Sequence, residues 1–199
     1  VNDSRAKDNI IAHDATRDWL MLSSYHLTDE RIPEYLEALE KFQPDFLNIY
    51  PSAALQLAEY LQRHDQRWRT PLLGVLCGSE QLTLSQKRLL EGVFQCRVLR
   101  WYGHAKRVVL AAEGTYSDLF YFWPHYGFVE FGEPDGDGLR EVIGTTFHNM
   151  AMPLVRYRTG DFVRLAKPGA RREYAWPAVE EIAGRAQEFL VTGSGRRIS

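Results

Sequence analysis

Four short segments set small, backbone-permissive residues beside polar ones at the ends of apolar runs. They are Gly78-Ser79-Glu80, Trp101-Tyr102-Gly103-His104-Ala105-Lys106-Arg107, Tyr157-Arg158-Thr159-Gly160-Asp161 and Gly184-Arg185-Ala186-Gln187-Glu188. Open α/β sheets bind ligands at such strand ends. The third segment carries the sharpest chemistry, because a carboxylate just past a glycine can accept hydrogen bonds from both hydroxyls of a vicinal diol such as a ribose. Each segment taken alone also has a plain structural reading. Gly-Ser-Glu is ordinarily a turn followed by a helix-start carboxylate, and Thr-Gly-Asp a polar hairpin turn.

Other chemistries find less support. The six histidines, His13, His26, His64, His104, His125 and His148, include no pair at the i, i+3 or i, i+4 spacing of a helical metal site, and no cysteine pair accompanies them. No metal ligand is assigned. His104 alone lies inside one of the four segments, where it either lines a pocket or serves as a hydrogen-bonded wall residue. Asp135-Gly136-Asp137-Gly138 lacks the further acceptors of a calcium loop and reads as a tight turn. Ser79 lacks the Gly-x-Ser-x-Gly elbow of a nucleophile. The aromatic residues are spread over strand-like runs, so they read as core and not as a stacking platform.

The elements that must position these segments are legible from periodicity. From Asp29 to Phe42 the apolar residues Ile32, Tyr35, Leu36, Leu39 and Phe42 form a helical stripe, with Pro33 tolerable in its first turn. Phe46 to Tyr50 reads as a short strand, and Ser52 as the cap of a helix running to about His64. Leu72 to Cys77 reads as a central strand. Thr83 and Gln86 make a capping box for a helix burying Leu89, Leu90, Val93 and Phe94, and Arg97 to Tyr102 follows as a strand. Strand, helix, strand at this spacing favours a parallel crossover. After Gly114 come short strand-like runs, Leu119 to Trp123, Gly127 to Phe131, Arg140 to Phe147, Leu154 to Tyr157 and Phe162 to Leu165, divided by Gly, Pro and Asp turns. The expected fold class is α/β, a parallel βαβ region followed by an antiparallel β region. Residues 1–18 read as a loose end, 19–114 as the α/β part and 115–183 as the antiparallel part.

Composition narrows the partners. The chain has 199 residues, 45% of them apolar, and 24 Lys plus Arg against 26 Asp plus Glu. It can bury a core, and it has no positive excess to hold nucleic acid. No apolar run approaches the roughly 18 residues that span a bilayer. Cys77 and Cys96 fit reduced thiols of a cytoplasmic protein. The start at Val1 without Met, and the stop at Ser199 just after Ser194-Gly195, read as a middle piece that lacks N- and C-terminal parts of its own chain.

Taken in order, the segments resemble the adenylate-forming superfamily of acyl and aryl CoA ligases. From about residue 19 to 199 the chain is similar to the phenylacetate-CoA ligase-like branch, which includes proteins of capsular polysaccharide biosynthesis. The resemblance rests on Met21-Leu22-Ser23-Ser24-Tyr25-His26-Leu27, Tyr50-Pro51-Ser52, Tyr102-Gly103-His104 with Arg107-Val108-Val109-Leu110, Trp123-Pro124-His125-Tyr126-Gly127 and Met152-Pro153-Leu154-Val155-Arg156 running into Tyr157 to Asp161. It implies part of the N-terminal domain of such a ligase, with 184–199 the hinge and the start of a C-terminal lid. ATP would activate a carboxylic acid as an acyl-adenylate, which CoA then captures. Tyr102, with Gly103, would lie on the adenine opposite a wall of Gly78, Ser79 and Glu80. Asp161 would hold the ribose, Arg185 the ribose or phosphate, and Gln187 would stand where the hinge Asp is usual. Catalytic residues are not assigned.

The departures matter equally. Lys106 stands where the family has a Glu that helps hold Mg²⁺, and Ala105 where Thr or Ser is usual. An ammonium offers Mg²⁺ no ligand, so Lys106 either contacts a phosphate directly or faces solvent. The Gly/Ser/Thr-rich phosphate loop and the catalytic lysine of the lid are not among these residues. The isolated chain is therefore expected to be inactive. The rival reading is a non-catalytic nucleotide-binding or scaffold homologue linked to polysaccharide biosynthesis.

Overall fold

A computed structural model describes residues 10–185, 190–191 and 197–198. The chain divides into two compact units, Val1–Val98 and Leu99–Ser199. In the first unit, strands β1 (Ile11–Asp14) and β2 (Trp19–Leu22) pair as an antiparallel hairpin. This corrects part of the loose end expected over residues 1–18. Asp14 closes the hairpin turn by accepting from the Thr16 hydroxyl at 2.6 Å, a local bond that weak hydrophobic periodicity does not reveal.

Helix α1 (Ile32–Phe42) forms as its stripe requires, with Pro33 in the first turn and Gln43 left-handed at the C-cap. It buries Ile32, Tyr35 and Leu39. Strand β3 (Phe46–Ile49) runs parallel to β4 (Gly74–Cys77), in register Phe46↔Gly74 through Ile49↔Cys77. Helix α2 (Pro51–Arg63) begins at Pro51 with Tyr50 as its N-cap, so Ser52 lies inside the first turn and is not the cap. Proline's fixed φ and missing N–H suit that opening position. Helix α3 (Leu84–Phe94) carries the expected capping box in full: Thr83 accepts from the Gln86 N–H, and the Gln86 side chain accepts from the Thr83 N–H. Leu90 and Phe94 are buried, whereas Leu89 is 40% exposed and turns out of the stripe. Tyr35, Ala54, Leu57, Val75, Leu90 and Phe94 meet in one core.

The second unit is antiparallel throughout. Its strands are β5 (Val98–Gly103, which begins in the last residue of the first unit), β6 (Leu110–Glu113), β7 (Phe120–Phe122), β8 (Gly127–Pro134), β9 (Arg140–Thr146), β10 (Tyr157–Leu165) and β11 (Ala178–Arg185). They lie in the order β5-β6-β7-β11-β10-β9-β8. Two-residue strands β12 (Leu190–Val191) and β13 (Arg197–Ile198) pair separately. The fold class is as expected, parallel α/β followed by antiparallel β. Of the strand expected over 154–157 only Tyr157 is strand, as the first residue of β10, which runs on through 162–165 with an irregularity between Arg158 and Phe162. Val108, Val109, Phe122, Val142, Val163 and Val179 form the core on this sheet. Among the described residues no helix is long and apolar enough to cross a membrane.

At the start of β8, Gly127 meets the backbone of its neighbours. A Cβ there would lie 2.1 Å from the Val108 carbonyl oxygen and 3.0 Å from that of Thr145. Backbone cannot step aside as a side-chain tip can. We therefore expect Gly127→Ala to destabilise the fold by about 3 kcal/mol, in the range of overpacked cores. Gly136→Ala, whose Cβ would meet nothing within 4 Å, should change urea unfolding little.

Candidate functional site

The irregularity in β10 is the structural origin of the site. Arg158 pairs with Ile143 and Phe162 with Glu141, so Thr159, Gly160 and Asp161 on β10 face only Val142 on β9. The extra residues arch out of the ladder, as in a bulge. Gly160 takes φ +75°, a conformation that strains any residue with a Cβ. Three bonds hold the arch: the Thr159 hydroxyl donates to the Val142 carbonyl at 2.8 Å, the Gly160 N–H to Glu141 Oε1 at 3.1 Å, and the Asp161 N–H to Thr159 Oγ1 at 3.1 Å. Glu141 itself is buried and also accepts from the Arg158 guanidinium, with Nε at 2.7 Å.

The arch presents the Asp161 carboxylate, which is 5% exposed, to donors from two other strands. Oδ2 accepts from the Tyr102 hydroxyl at 2.8 Å and meets His104 Nε2 at 2.8 Å. Oδ1 accepts from Arg185 Nε at 3.2 Å, and Arg185 is the residue directly across from Asp161 in the β10–β11 register. Burial pushes the Asp161 carboxyl upward, but the hydrogen bonds from His104 and Tyr102, with the positive charge of Arg185, outweigh it, leaving the group below its ordinary value. Burial, with the Asp161 anion beside it, drives the Tyr102 hydroxyl well up. Asp161 is thus an anion and Tyr102 a neutral donor.

The chain has relatives. The chain is 30% identical to the phenylacetate-coenzyme A ligase of Pseudomonas putida over 171 residues, 78% of this chain and 37% of that protein. It is 27% identical to the protein CapK of Staphylococcus aureus over 172 residues, 86% of this chain and 38% of the relative. Over most of its length the chain is thus similar to the phenylacetate-CoA ligase-like branch of the adenylate-forming superfamily. It spans under two-fifths of the length of the curated relatives it matches. No family model matches it. In fold it is similar to 2-hydroxyisobutyryl-CoA ligase, solved with an adenylate bound, at TM-score 0.67 and 18% identity over 84% of this chain and 38% of that one. It is also similar to an anthranilate CoA ligase solved with anthranoyl-AMP, at TM-score 0.59 and 12% identity over 86% of this chain and 35% of that one.

Of the residues named from the sequence, Tyr102, Gly103, Lys106, Asp161 and Arg185 lie in the second unit, and Tyr102, Asp161 and Arg185 are hydrogen-bonded together. Gly78, Ser79 and Glu80 lie in the first unit, just past β4, with Ser79 left-handed at φ +70°. Glu80 accepts from the Ser52 N–H at 2.8 Å and the Ser52 hydroxyl at 3.0 Å, so its charge sits on the first turn of α2, where the helix dipole favours it. Gln187 lies outside the described residues. Lys106 donates to the Tyr157 hydroxyl at 2.6 Å, and its ammonium, 4.8 Å from the ring centroid, approaches the hydroxyl end of that ring.

The residues present do not fit Mg²⁺. Lys106 offers a cation where the resemblance places a carboxylate ligand, and the buried Glu113 is paired with Arg100. One residue that shapes the site escaped the motif reading, and one was read without its partner. Glu141 stands in an ordinary strand pattern, and nothing local announces that it will hold Gly160. His104 was legible as lining a pocket or as a hydrogen-bonded wall residue, but not its bond to Asp161, 57 positions away.

A carboxyl held below its ordinary value stabilises the fold above that value, and the contribution is lost as pH falls through the lowered one. Asp161→Asn should therefore cost about 2 kcal/mol at pH 7, the scale of hydrogen bonds to a charged group. Below the ordinary carboxyl value, near pH 4, the gap between wild type and variant should narrow. Urea midpoints measured at both ends of that range check both statements.

Proposed function

We propose that the chain is the nucleotide-holding part of a cytoplasmic, ATP-dependent ligase that activates a carboxylic acid as its acyl-adenylate and passes the acyl group to CoA. The observation that carries this reading is the Asp161 carboxylate, kept anionic on the β10 arch beside Tyr102 and Arg185. Its similarity to phenylacetate-CoA ligases supports the same chemistry. The substrate carboxylate oxygen attacks the α-phosphorus of ATP and pyrophosphate leaves. The CoA sulfur then attacks the acyl carbon, AMP leaves with the electron pair, and the thiol proton is released.

As it stands, Asp161 accepts from three donors and cannot also take both hydroxyls of a ribose. Arg185 is the donor that yields on this reading, since its bond is the longest, 3.2 Å, and its side chain is 61% exposed. Released, the guanidinium is free to meet phosphate. Lys106 meets phosphate as a point charge without a metal between them. Cys77, buried, and Cys96, half-buried, are in no disulfide among the described residues, which supports the cytoplasmic placement. The 199 residues by themselves bind nucleotide without completing the reaction, because they match under two-fifths of each relative's length.

Lys106 favours a second reading, a nucleotide-binding homologue without turnover, since direct charge contact can bind a phosphate without bridging attacking and leaving oxygens. Two measurements follow. AMP should raise the melting temperature of the chain, and Asp161→Asn should weaken AMP by about tenfold, the loss of one charge-assisted bond. Lys106→Met should weaken ATP several-fold and adenosine hardly at all. No AMP-dependent shift sinks the nucleotide reading. Acid-dependent exchange of pyrophosphate into ATP by the 199-residue chain sinks its inactivity, and robust exchange with Lys106 in place removes the second reading.

A further inference from the structure

His104 is the member of the Asp161 cluster that the nucleotide reading leaves without a task. Its side chain is 9% exposed, and its ring meets Tyr102 edge-on at 5.0 Å. Nε2 lies 2.8 Å from Asp161 Oδ2 and 2.9 Å from the Tyr102 oxygen. A carboxylate oxygen only accepts, so a bare nitrogen lone pair facing it would repel. Every favourable arrangement of the Tyr102 hydrogen therefore leaves a hydrogen on Nε2. The tautomer is fixed, and in the neutral ring Nδ1 keeps its lone pair.

That Nδ1 is fully buried and has no hydrogen-bond partner among the described residues. Buried polar atoms are nearly always satisfied, so an exception asks for a partner that the described residues do not supply. The orphan is not the product of a loose side chain, because Asp161 holds the opposite nitrogen of the same rigid ring. We propose that His104 is a ligand-reading residue of this site, its Nδ1 accepting a hydrogen bond from a hydroxyl or amino group of the bound adenylate. The inference rests on the nucleotide reading and deepens it. Asp161 would then act twice, once on the ligand through its own free lone pair and once through the imidazole it orients. A fixed internal water is the competing occupant of the same position.

The test uses the chain with ¹⁵N-labelled histidine, and AMP as the probe. On adding AMP the His104 Nδ1 resonance should move upfield, as an acceptor nitrogen does on gaining a hydrogen bond. The two sources of a donor are separated by 2′,3′-dideoxy-AMP, which lacks the ribose hydroxyls, and purine riboside monophosphate, which lacks the exocyclic amine. One of the two should fail to move Nδ1. In parallel, His104→Gln keeps an amide donor for Asp161 and deletes the acceptor, so it should weaken AMP by about three- to tenfold, the worth of one neutral hydrogen bond, and leave the silent analogue unaffected. His104→Asn, whose amide sits at the level of Nδ1, should recover part of that loss. If AMP perturbs the Tyr102 signals while Nδ1 stays in place, or if both analogues move Nδ1 as AMP does, the inference is overturned and the nucleotide reading stands. If AMP perturbs nothing, both fall.

Discussion

A carboxylate taken out of water stays ionised only while donors surround it, and the donors to Asp161 come from β5, from the residue just past it and from β11. Between β5 and β10 in the sheet stand β6, β7 and β11. Tyr102 and His104 therefore reach Asp161 across intervening strands, and only if the sheet is twisted and packed as it is. The same core that buries Val108, Phe122 and Val163 fixes those distances. The polar cluster cannot form without the apolar one, and its unmet acceptor has meaning only because the surrounding groups are already fixed.

Glu113 and Glu141 obey the same constraint. Glu113 is buried across β5 and β6 and takes the Arg100 N–H at 2.9 Å and its Nε at 2.7 Å. Glu141 takes the Gly160 N–H and the Arg158 guanidinium. Arg158 is 76% exposed, so solvent screens that ion pair, and the backbone bond to Gly160 is the contact that shapes the arch. The residue that binds nothing itself thus decides where Asp161 points. A buried carboxylate holding a glycine arch is a rigid device, suited to presenting a second carboxylate at a set position.

What was legible in the sequence was local. The α1 stripe, the Thr83 to Gln86 capping box and the β4 run depend on residues within a few positions of one another, and all three formed as read. Thr159-Gly160-Asp161 looked like a hairpin turn because its composition is that of a turn. It remains inside a strand because Glu141, far back in the chain, satisfies the freed backbone N–H. Glu80 shows the same limit. It is a helix-start carboxylate, as its type suggests, yet the helix it serves is α2, 28 residues before it, and not α3, which Thr83 caps. The motif order exposed the family resemblance, while pairings made across the sheet exposed how its residues are held.

Lys106 is where the two kinds of information meet. By motif it occupies a carboxylate's place, and by geometry its ammonium is fixed on the Tyr157 hydroxyl at the head of β10. Tyr157 leads directly into the Arg158 to Asp161 arch, so the cation is tied to the strand that presents the anion. An ammonium neutralises phosphate charge as a point, without the fixed octahedral oxygens that let Mg²⁺ bridge two phosphoryl groups. Exchanging carboxylate for ammonium therefore keeps attraction for a polyanion while giving up the bridging of leaving and transferred groups. Binding survives such a change more readily than turnover, because affinity needs charge in the neighbourhood whereas phosphoryl chemistry needs it on particular oxygens.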